Sequence, residues 1–179
     1  MERLPRAAVL LSLIEKLKEN GSWCGETHIQ KSTYFLQELL GVPSEFEFIL
    51  YKFGPYSFDL TDELTVMRAD LLLRHELNPP YGPSIFPGQG WSSLKERFPK
   101  TIRMYKSKIE FIAGKLGDKK VSELERLATA LYVTLNSKVD PNKRADEICA
   151  LKPHVSKEDA IEAVRFVDEM KKESDELAA

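Results

Sequence analysis

This chain has few of the residues that hold metals or form disulfide frameworks. Its two cysteines, Cys24 and Cys149, lie far apart, and its three histidines are scattered along the sequence. Neither cysteine belongs to a Cys-x-x-Cys pair, and no second pair of ligands completes a zinc site. We therefore predict no metal and no other cofactor, and a reducing, cytoplasmic location.

The chain also lacks a strong charge of one sign and an apolar run long enough for a membrane helix. Its formal net charge is -2, so the molecule as a whole does not attract nucleic acid. The first apolar run is interrupted by charge after Ile14, which indicates an amphipathic helix and no membrane partner. The sequence has no phosphate-binding glycine loop, nucleophile elbow or His-Glu-x-x-His pattern, and we predict that the protein is not an enzyme.

The hydrophobic pattern of the first half predicts helices with a small β element. Helices are expected at roughly 6–19, from Thr27 to Leu40 and from Ser57 to about residue 73. Alternating residues in FEFILYKF, 46–53, predict a strand, and two short strands should flank the proline-rich loop NPPYGP. This order of helices and strands is typical of a winged helix-turn-helix.

The second half is predicted to be wholly helical. Helices are expected at about 99–116, from Ser122, after Asp140-Pro141 and from Ser156. Hydrophobic residues make up 42% of the chain, enough for a packed core. We predict a mainly α (α+β) fold, in which a winged-helix-like part, 1–90, packs on a C-terminal helical bundle, 91–179. The alternative is a single core shared by both parts.

The segment YKFGPYS contains a Gly54-Pro55 pair between Phe53 and Tyr56. Glycine tolerates turn geometry, and proline cannot donate to a central strand, so the pair has local reasons to end the strand and to aim Ser57 at the next helix. The alternative is a surface turn at which Tyr56 meets a partner. Because glycine and proline have these local reasons to be there, the interpretation as a bend is favoured over that as a contact site.

The helix segment IQKSTYFLQELLG, followed by YKFGPYS, resembles the SocA-like (Panacea) antitoxin domain and the related YwgA-type proteins. The family's Lys-x-x-Tyr-x-x-Gln pattern corresponds to Lys31, Tyr34 and Gln37, and its Gly-Pro corner to Gly54 and Pro55. The later segment ALKPHVSKEDAIEAV is similar to the YwgA-type C-terminal region. The resemblance implies a compact, mostly helical domain that binds other macromolecules, as an antitoxin or adaptor, and carries no known chemistry.

DNA recognition by a winged helix is disfavoured by charge. The helix after the corner carries Asp59, Asp62 and Glu63 near its start, and anionic groups repel phosphates. The loop NPPYGP has no charge to anchor a phosphate. The preceding helix, with Gln30 and Lys31 expected to be exposed, is a weaker candidate reader.

Positive charge is concentrated between Lys95 and Lys120, where nine lysine and arginine residues accompany three acidic ones. Arg103, Lys106 and Lys108 on this helix could engage an acidic partner or a nucleic-acid backbone. The plainer interpretation is a solvated face, neutralised in part by the acidic segment after residue 145.

The most favoured function is non-enzymatic protein binding. The predicted contact surface combines Lys31, Tyr34 and Gln37 with the corner at Gly54, Pro55 and Tyr56. One alternative is a DNA- or RNA-binding regulator that uses the winged helix or the basic helix at 95–120. Another is a structural subunit of a larger assembly, for which an exposed apolar patch is expected.

Overall fold

The computed structural model describes residues 1–137 and 139–177, and within them the chain is mainly α (α+β). It is 66% helical, with eight helices and two antiparallel two-stranded sheets in the described part. The helices are α1 (Arg3–Glu19), α2 (Glu26–Glu38), α3 (Phe58–Ala69), α4 (Trp91–Arg97), α5 (Pro99–Leu116), α6 (Val121–Asn136), α7 (Pro141–Leu151) and α8 (Lys157–Leu177). The strands are β1 (Ile49–Tyr51), β2 (Gly54–Tyr56), β3 (Leu73–Asn78) and β4 (Tyr81–Pro87).

The core lies between helices that are far apart in sequence. Helix α1 packs on α5, and α2 packs on both α5 and α6, while α6 also contacts α7, α8 and β2. The apolar residues of α6 surround most of its axis because it has neighbours on several sides. Both predicted parts thus contribute helices to these contacts, and the division at residue 90 stays a prediction. Within the described residues, no helix has the length and apolar character needed to cross a bilayer.

Helix α2 is buried along almost its whole length. Every residue from His28 to Leu36 is buried, including the polar side chains of Gln30, Lys31, Ser32 and Thr33. Polar groups in such a position need hydrogen-bond partners, because burial without them is unfavourable. The predicted exposure of Gln30 and Lys31 is therefore wrong, since neighbouring segments cover the helix face on which they lie.

The predicted single strand over 46–53 is wrong in extent. Strand begins only at Ile49, and the Gly54-Pro55 pair does not end the strand but opens β2, which pairs with β1. Gly54 has a φ of +87°, a conformation that favours glycine and that reverses the chain after Phe53. Pro55 fits because both strands of a two-stranded sheet are edge strands.

The end of α3 and the presence of α4 also differ from the sequence prediction. Helix α3 ends at Ala69, and Leu71 is exposed with a φ of +60°, so it does not continue the buried stripe of the helix. The short helix α4 was not predicted, because it spans seven residues and buries only Trp91 and Leu94. Two apolar positions in so short a segment give no helical period.

Ser57 caps α3 as predicted, and its removal should have a measurable effect. The Ser57 hydroxyl accepts a hydrogen bond from the amide of Leu60 at 3.2 Å, in a buried position. We expect Ser57→Ala to lower the free energy of unfolding by about 1 kcal/mol, and Ser57→Gly by only a few tenths. Denaturant unfolding of both variants checks this. Equal losses for the two variants would contradict a capping role.

Candidate functional site at the β1–β2 hairpin

Two buried lysines hold the β1–β2 hairpin to the helical body. From α2, the Nζ of Lys31 donates to the carbonyl of Pro55 at 2.8 Å. From the end of α7, the Nζ of Lys152 donates to the carbonyls of Tyr51, at 3.2 Å, and Lys52. A hairpin with three-residue strands is only marginally stable alone, so these contacts from two separate helices fix its position.

Gln30, beside Lys31, fixes the end of the hairpin. Its side-chain Oε1 accepts from the amide of Ser57 at 3.0 Å, and its Nε2 donates to the carbonyl of the same residue at 2.8 Å. The Gln30 side chain is fully buried, so both hydrogen bonds are shielded from water. The glutamine amide thereby satisfies both backbone groups of the residue that starts α3.

Gln37 makes the same pair of contacts to the segment before the hairpin. Its Oε1 accepts from the amide of Phe46, and its Nε2 donates to the carbonyl of Phe46, both at 2.9 Å. Between Gln37 and Lys31, the ring of Tyr34 packs edge-on to Phe48 with centroids 5.0 Å apart, and it is only 3% exposed. Burial raises the pKa of the Tyr34 hydroxyl.

The Lys-x-x-Tyr-x-x-Gln pattern is therefore brought together on one face of α2, where it binds residues 46–57 of the same chain. Lys31 and Tyr34 are buried and Gln37 is half-buried. Lys31 and Tyr34 are thus not exposed on an outer contact surface, because the ammonium group and the ring contact the chain itself. A role of this pattern in partner binding stays a prediction.

Charges of both signs lie beneath the hairpin. Burial lowers the pKa of Lys31 to about 8, and the negative charge of Glu125 on α6 acts against this shift. Burial likewise raises the pKa of Glu125, against the charges of Lys31, Lys152 and His154. Perturbed pKa values often mark functional sites. Here both lysine ammonium groups already donate to backbone carbonyls, so they position the hairpin.

Two small cavities flank the hairpin. One, of about 290 Å³, is lined in part by Glu26, Tyr51 and Tyr56. The other, of about 200 Å³, is lined by Lys52 of the hairpin and by residues of α6 and of the α7–α8 connection. Phe53 and Glu125 line both cavities. Each is smaller than the 300–1,000 Å³ typical of a small-molecule site. The hairpin therefore presents its outer surface rather than a deep pocket.

The hairpin and the first residue of α3 carry four aromatic rings, here called the aromatic patch: Tyr51, Phe53, Tyr56 and Phe58. Tyr51, Phe53 and Phe58 are 54%, 52% and 52% exposed. The ring centroid of Tyr56 lies 6.0 Å from that of Tyr51 and 5.1 Å from that of Phe58. Tyr51, Tyr56 and Phe58 support one another at distances favourable for aromatic pairs, while about half of the surface of Tyr51, Phe53 and Phe58 lies in water.

An acidic edge borders the aromatic patch. The Tyr56 hydroxyl donates to the carboxylate of Glu26 at 3.2 Å, and the Thr61 hydroxyl donates to the same oxygen at 2.7 Å. Burial raises the pKa of Tyr56, so it stays a neutral donor at physiological pH. Asp59 and Asp62 of α3 are exposed beside it. The face is therefore apolar at its centre and negative at its edge.

The basic residues of α5 do not join this site. Lys108 donates from Nζ to the carbonyl of Leu40 at 2.6 Å, just beyond the C-terminal end of α2. Lys106 lies 3.9 Å from Glu110, and Arg103 is exposed. Other cations of the segment are paired, among them Lys95 with Glu15 at 3.0 Å and Lys115 with Glu173 at 2.7 Å. The acidic last helix thus neutralises part of the basic segment.

Among the described residues, no three His, Cys, Asp or Glu side chains are grouped so that they could hold a metal ion. No model of a known protein family matches this chain, and a search of curated proteins found no significant match. The resemblance to the SocA-like domain thus stays a prediction from the residues of α2 and the hairpin.

Proposed function

We propose that this chain is a non-enzymatic protein-binding domain, of the antitoxin-like or adaptor kind, and that the aromatic patch is its contact surface. The observation that carries the proposal is the exposure of three large rings, two on the hairpin that Lys31 and Lys152 hold and one at the start of α3. Large aromatic residues dominate the energetics of protein interfaces when a partner covers them. A winged-helix-like N-terminal part remains part of the proposal.

The rigidity of the hairpin supports this role. Association loses free energy when loops and side chains must be ordered, and a preorganised surface avoids most of that loss. The hairpin is held at Pro55 by Lys31, at Tyr51 and Lys52 by Lys152, and at Ser57 by Gln30. The aromatic patch therefore enters binding in a defined arrangement.

The charge of this face indicates the partner's chemistry. Glu26, Asp59 and Asp62 lie at the edge of the aromatic patch, and they complement lysine or arginine side chains. The same carboxylates would repel a phosphate backbone. We propose a partner segment that has apolar side chains at its centre and basic residues around them.

The proposal predicts that binding is lost when the rings are removed. We expect Tyr51→Ala with Phe58→Ala to reduce partner capture tenfold or more, because truncated interface anchors of this kind cost 2 kcal/mol or more. Stability should change by no more than about 1 kcal/mol, because both rings are half exposed. Quantitative affinity capture with mass spectrometry measures the first effect and thermal unfolding the second.

Met104→Ala is the matched control for this experiment. Met104 is 68% exposed on α5, away from the hairpin, and its removal should leave capture unchanged. Equal capture by the wild type and the double variant would contradict the proposal. So would a loss of capture with Met104→Ala as large as that with the double variant.

A nucleic-acid-binding function is the second candidate, favoured by the exposed Lys100, Arg103 and Lys106 on α5. It predicts tight binding of duplex DNA or RNA that falls steeply as salt is raised. Fluorescence anisotropy with a labelled duplex at increasing salt separates the two functions. Duplex binding at physiological salt that is lost with Arg103→Glu and Lys106→Glu would replace the protein-binding proposal.

A further inference from the structure

The larger of the two cavities at the hairpin combines aromatic rings with carboxylates, and it is here called the Glu26 cavity. Its volume is about 290 Å³, which is too small for most small-molecule ligands but sufficient for one side chain. Its walls include three rings of the aromatic patch and two acidic residues: Tyr51, Phe53, Tyr56, Glu26 and Glu125. Rings and carboxylates together form the surroundings that proteins use to bind a cation.

The charges that line the Glu26 cavity are negative in sum. Lys31 also lines it, but its ammonium group donates to a backbone carbonyl of the hairpin, and its charge and that of Glu125 act on each other. These two opposite charges offset each other. The other lining residues are neutral: Thr27, Gln30 and Gly54. The carboxylate of Glu26 therefore supplies the charge that nothing in the walls offsets.

The Glu26 carboxylate is held in place but has no cationic partner. Its Oε1 accepts from the hydroxyl groups of Tyr56, at 3.2 Å, and Thr61, at 2.7 Å. Within residues 1–137 and 139–177, no lysine or arginine pairs with Glu26, and no donor reaches its Oε2. The charge of Glu26 raises the pKa of His75, but burial lowers it more, so that imidazole stays neutral at physiological pH.

Two of the three rings are free to receive a cation. The Nζ of Lys52 lies 5.2 Å from the ring centroid of Phe53, and Lys52 lines the smaller of the two cavities but not the Glu26 cavity. In the described part of the chain, no lysine or arginine lies over the ring of Tyr51 or Tyr56. These two rings are inclined by 40° to each other. A cation within about 6 Å of such a ring centroid is attracted by it.

We propose that the Glu26 cavity receives the guanidinium group of an arginine side chain of the protein partner, which lies against Tyr51 and Tyr56 and donates to Oε2 of Glu26. A guanidinium group is planar and weakly hydrated, stacks on aromatic rings and donates to carboxylates, so it suits these walls better than a lysine ammonium group. This inference rests on the protein-binding function proposed for the aromatic patch, and it names one residue that the partner must present.

Nα-acetyl-arginine amide and the corresponding citrulline compound test the proposal, because they have nearly the same shape and only the arginine compound is charged. With ¹³C-labelled tyrosine rings, we expect the arginine compound to shift the NMR resonances of Tyr51 and Tyr56 and to leave that of Tyr105, on α5, unchanged. At low salt it should bind about tenfold more tightly than the citrulline compound, because only a cation gains from both the rings and the carboxylate. NMR titrations measure both affinities.

Glu26→Gln tests the contribution of the carboxylate. Glutamine removes the charge but keeps the shape and an acceptor oxygen for the hydroxyl groups of Tyr56 and Thr61. Affinity for the arginine compound should fall about threefold, and that for the citrulline compound should stay the same. Glu96→Gln, which removes an equal charge from an exposed residue of α4, should change neither affinity. Equal losses with the two variants would overturn the proposal, because they would indicate attraction to the whole molecule.

The results separate this inference from the function proposed for the aromatic patch. Equal affinities for the arginine and citrulline compounds, or unchanged resonances of Tyr51 and Tyr56 at millimolar concentrations, would overturn the arginine inference even if partner capture still requires the rings. Specific binding of the arginine compound, together with partner capture that does not require the rings, would support the Glu26 cavity as a guanidinium site and contradict the protein-binding function.

Discussion

Replacing Lys31 with methionine should remove a contribution to stability that grows as the pH rises from 8 to 10. The pKa of Lys31 is about 8 in the folded protein, because burial disfavours the charged form, against 10.5 for an unburied lysine. Between pH 8 and pH 10.5, Lys31 keeps its proton in the unfolded chain and has released it in the folded chain. The state with more bound protons is disfavoured as pH rises, so stability rises.

The expected size of this stability effect follows from the same pKa shift of Lys31. The Lys31 contribution should raise the free energy of unfolding by about 2 kcal/mol from pH 8 to pH 10. Below pH 8 both states keep the proton, and the contribution is constant. Cys24 opposes the trend within this range and Tyr34 above it, because burial raises both pKa values, and stability falls once the unfolded thiol ionises near pH 9 and the unfolded tyrosine near pH 10. The measurement is therefore confined to pH 8–10.

Comparison with the wild type removes the contributions of all other groups. Urea unfolding at several pH values gives the free energy of unfolding of the wild type and of Lys31→Met as two curves against pH. The difference between the two curves should change by about 2 kcal/mol from pH 8 to pH 10. Lys106→Met, which removes an exposed lysine from α5, is the control, and its curve should stay parallel to that of the wild type. Parallel curves for Lys31→Met as well would show that Lys31 is hydrated in the folded protein.

Gly54→Ala should destabilise the protein more than the same change at another glycine with a similar backbone conformation. Gly54 has a φ of +87° and Gly21 a φ of +84°, so alanine meets the same left-handed strain, about 1–2 kcal/mol, at both positions. A β carbon at Gly54 would also lie 3.0 Å from Oγ1 of Thr129 and 3.2 Å from the carbonyl of Glu125. At Gly21 no described atom lies within 4 Å.

The difference between the two variants measures how closely the hairpin packs on α6. We expect Gly54→Ala to lower the free energy of unfolding by about 1–3 kcal/mol more than Gly21→Ala, because the hairpin or α6 must shift to admit the methyl group. A shifted hairpin also moves the aromatic patch, so partner capture should fall with Gly54→Ala alone. Equal destabilisation by both variants, with capture unchanged, would mean that the hairpin moves freely relative to α6.

The candidate site shows where prediction from sequence succeeded and where it failed. The sequence predicts that Lys31, Tyr34 and Gln37 share a helix face, but the predicted exposure is wrong for Lys31 and Tyr34. Helical periodicity identifies the residues that share a face, not the segment that covers it. The corner motif in the sequence contains Phe53 and Tyr56, whereas only the fold shows that Tyr51 and Phe58 contact each other and that Phe58 also contacts Tyr56.

Lys152 and Glu125 were missed as parts of the site because no local signal marks them. Lys152 contacts Tyr51, which lies 101 positions away in the sequence. Glu125 lies on α6 and lines a cavity together with residues of the hairpin. Their charges and pKa values depend on distances set by the packing of α6 and α7.

Neighbouring residues alone were enough for the mainly α class, the spans of α5 and α7, and the cap at Ser57, because propensity, periodicity and capping act within a few positions of the chain. Tertiary packing determined which faces of the helices are exposed to water, how Lys31 and Lys152 hold the hairpin, and which rings of the aromatic patch remain exposed. Burial and long-range hydrogen bonds arise between segments that only the folded chain brings into contact.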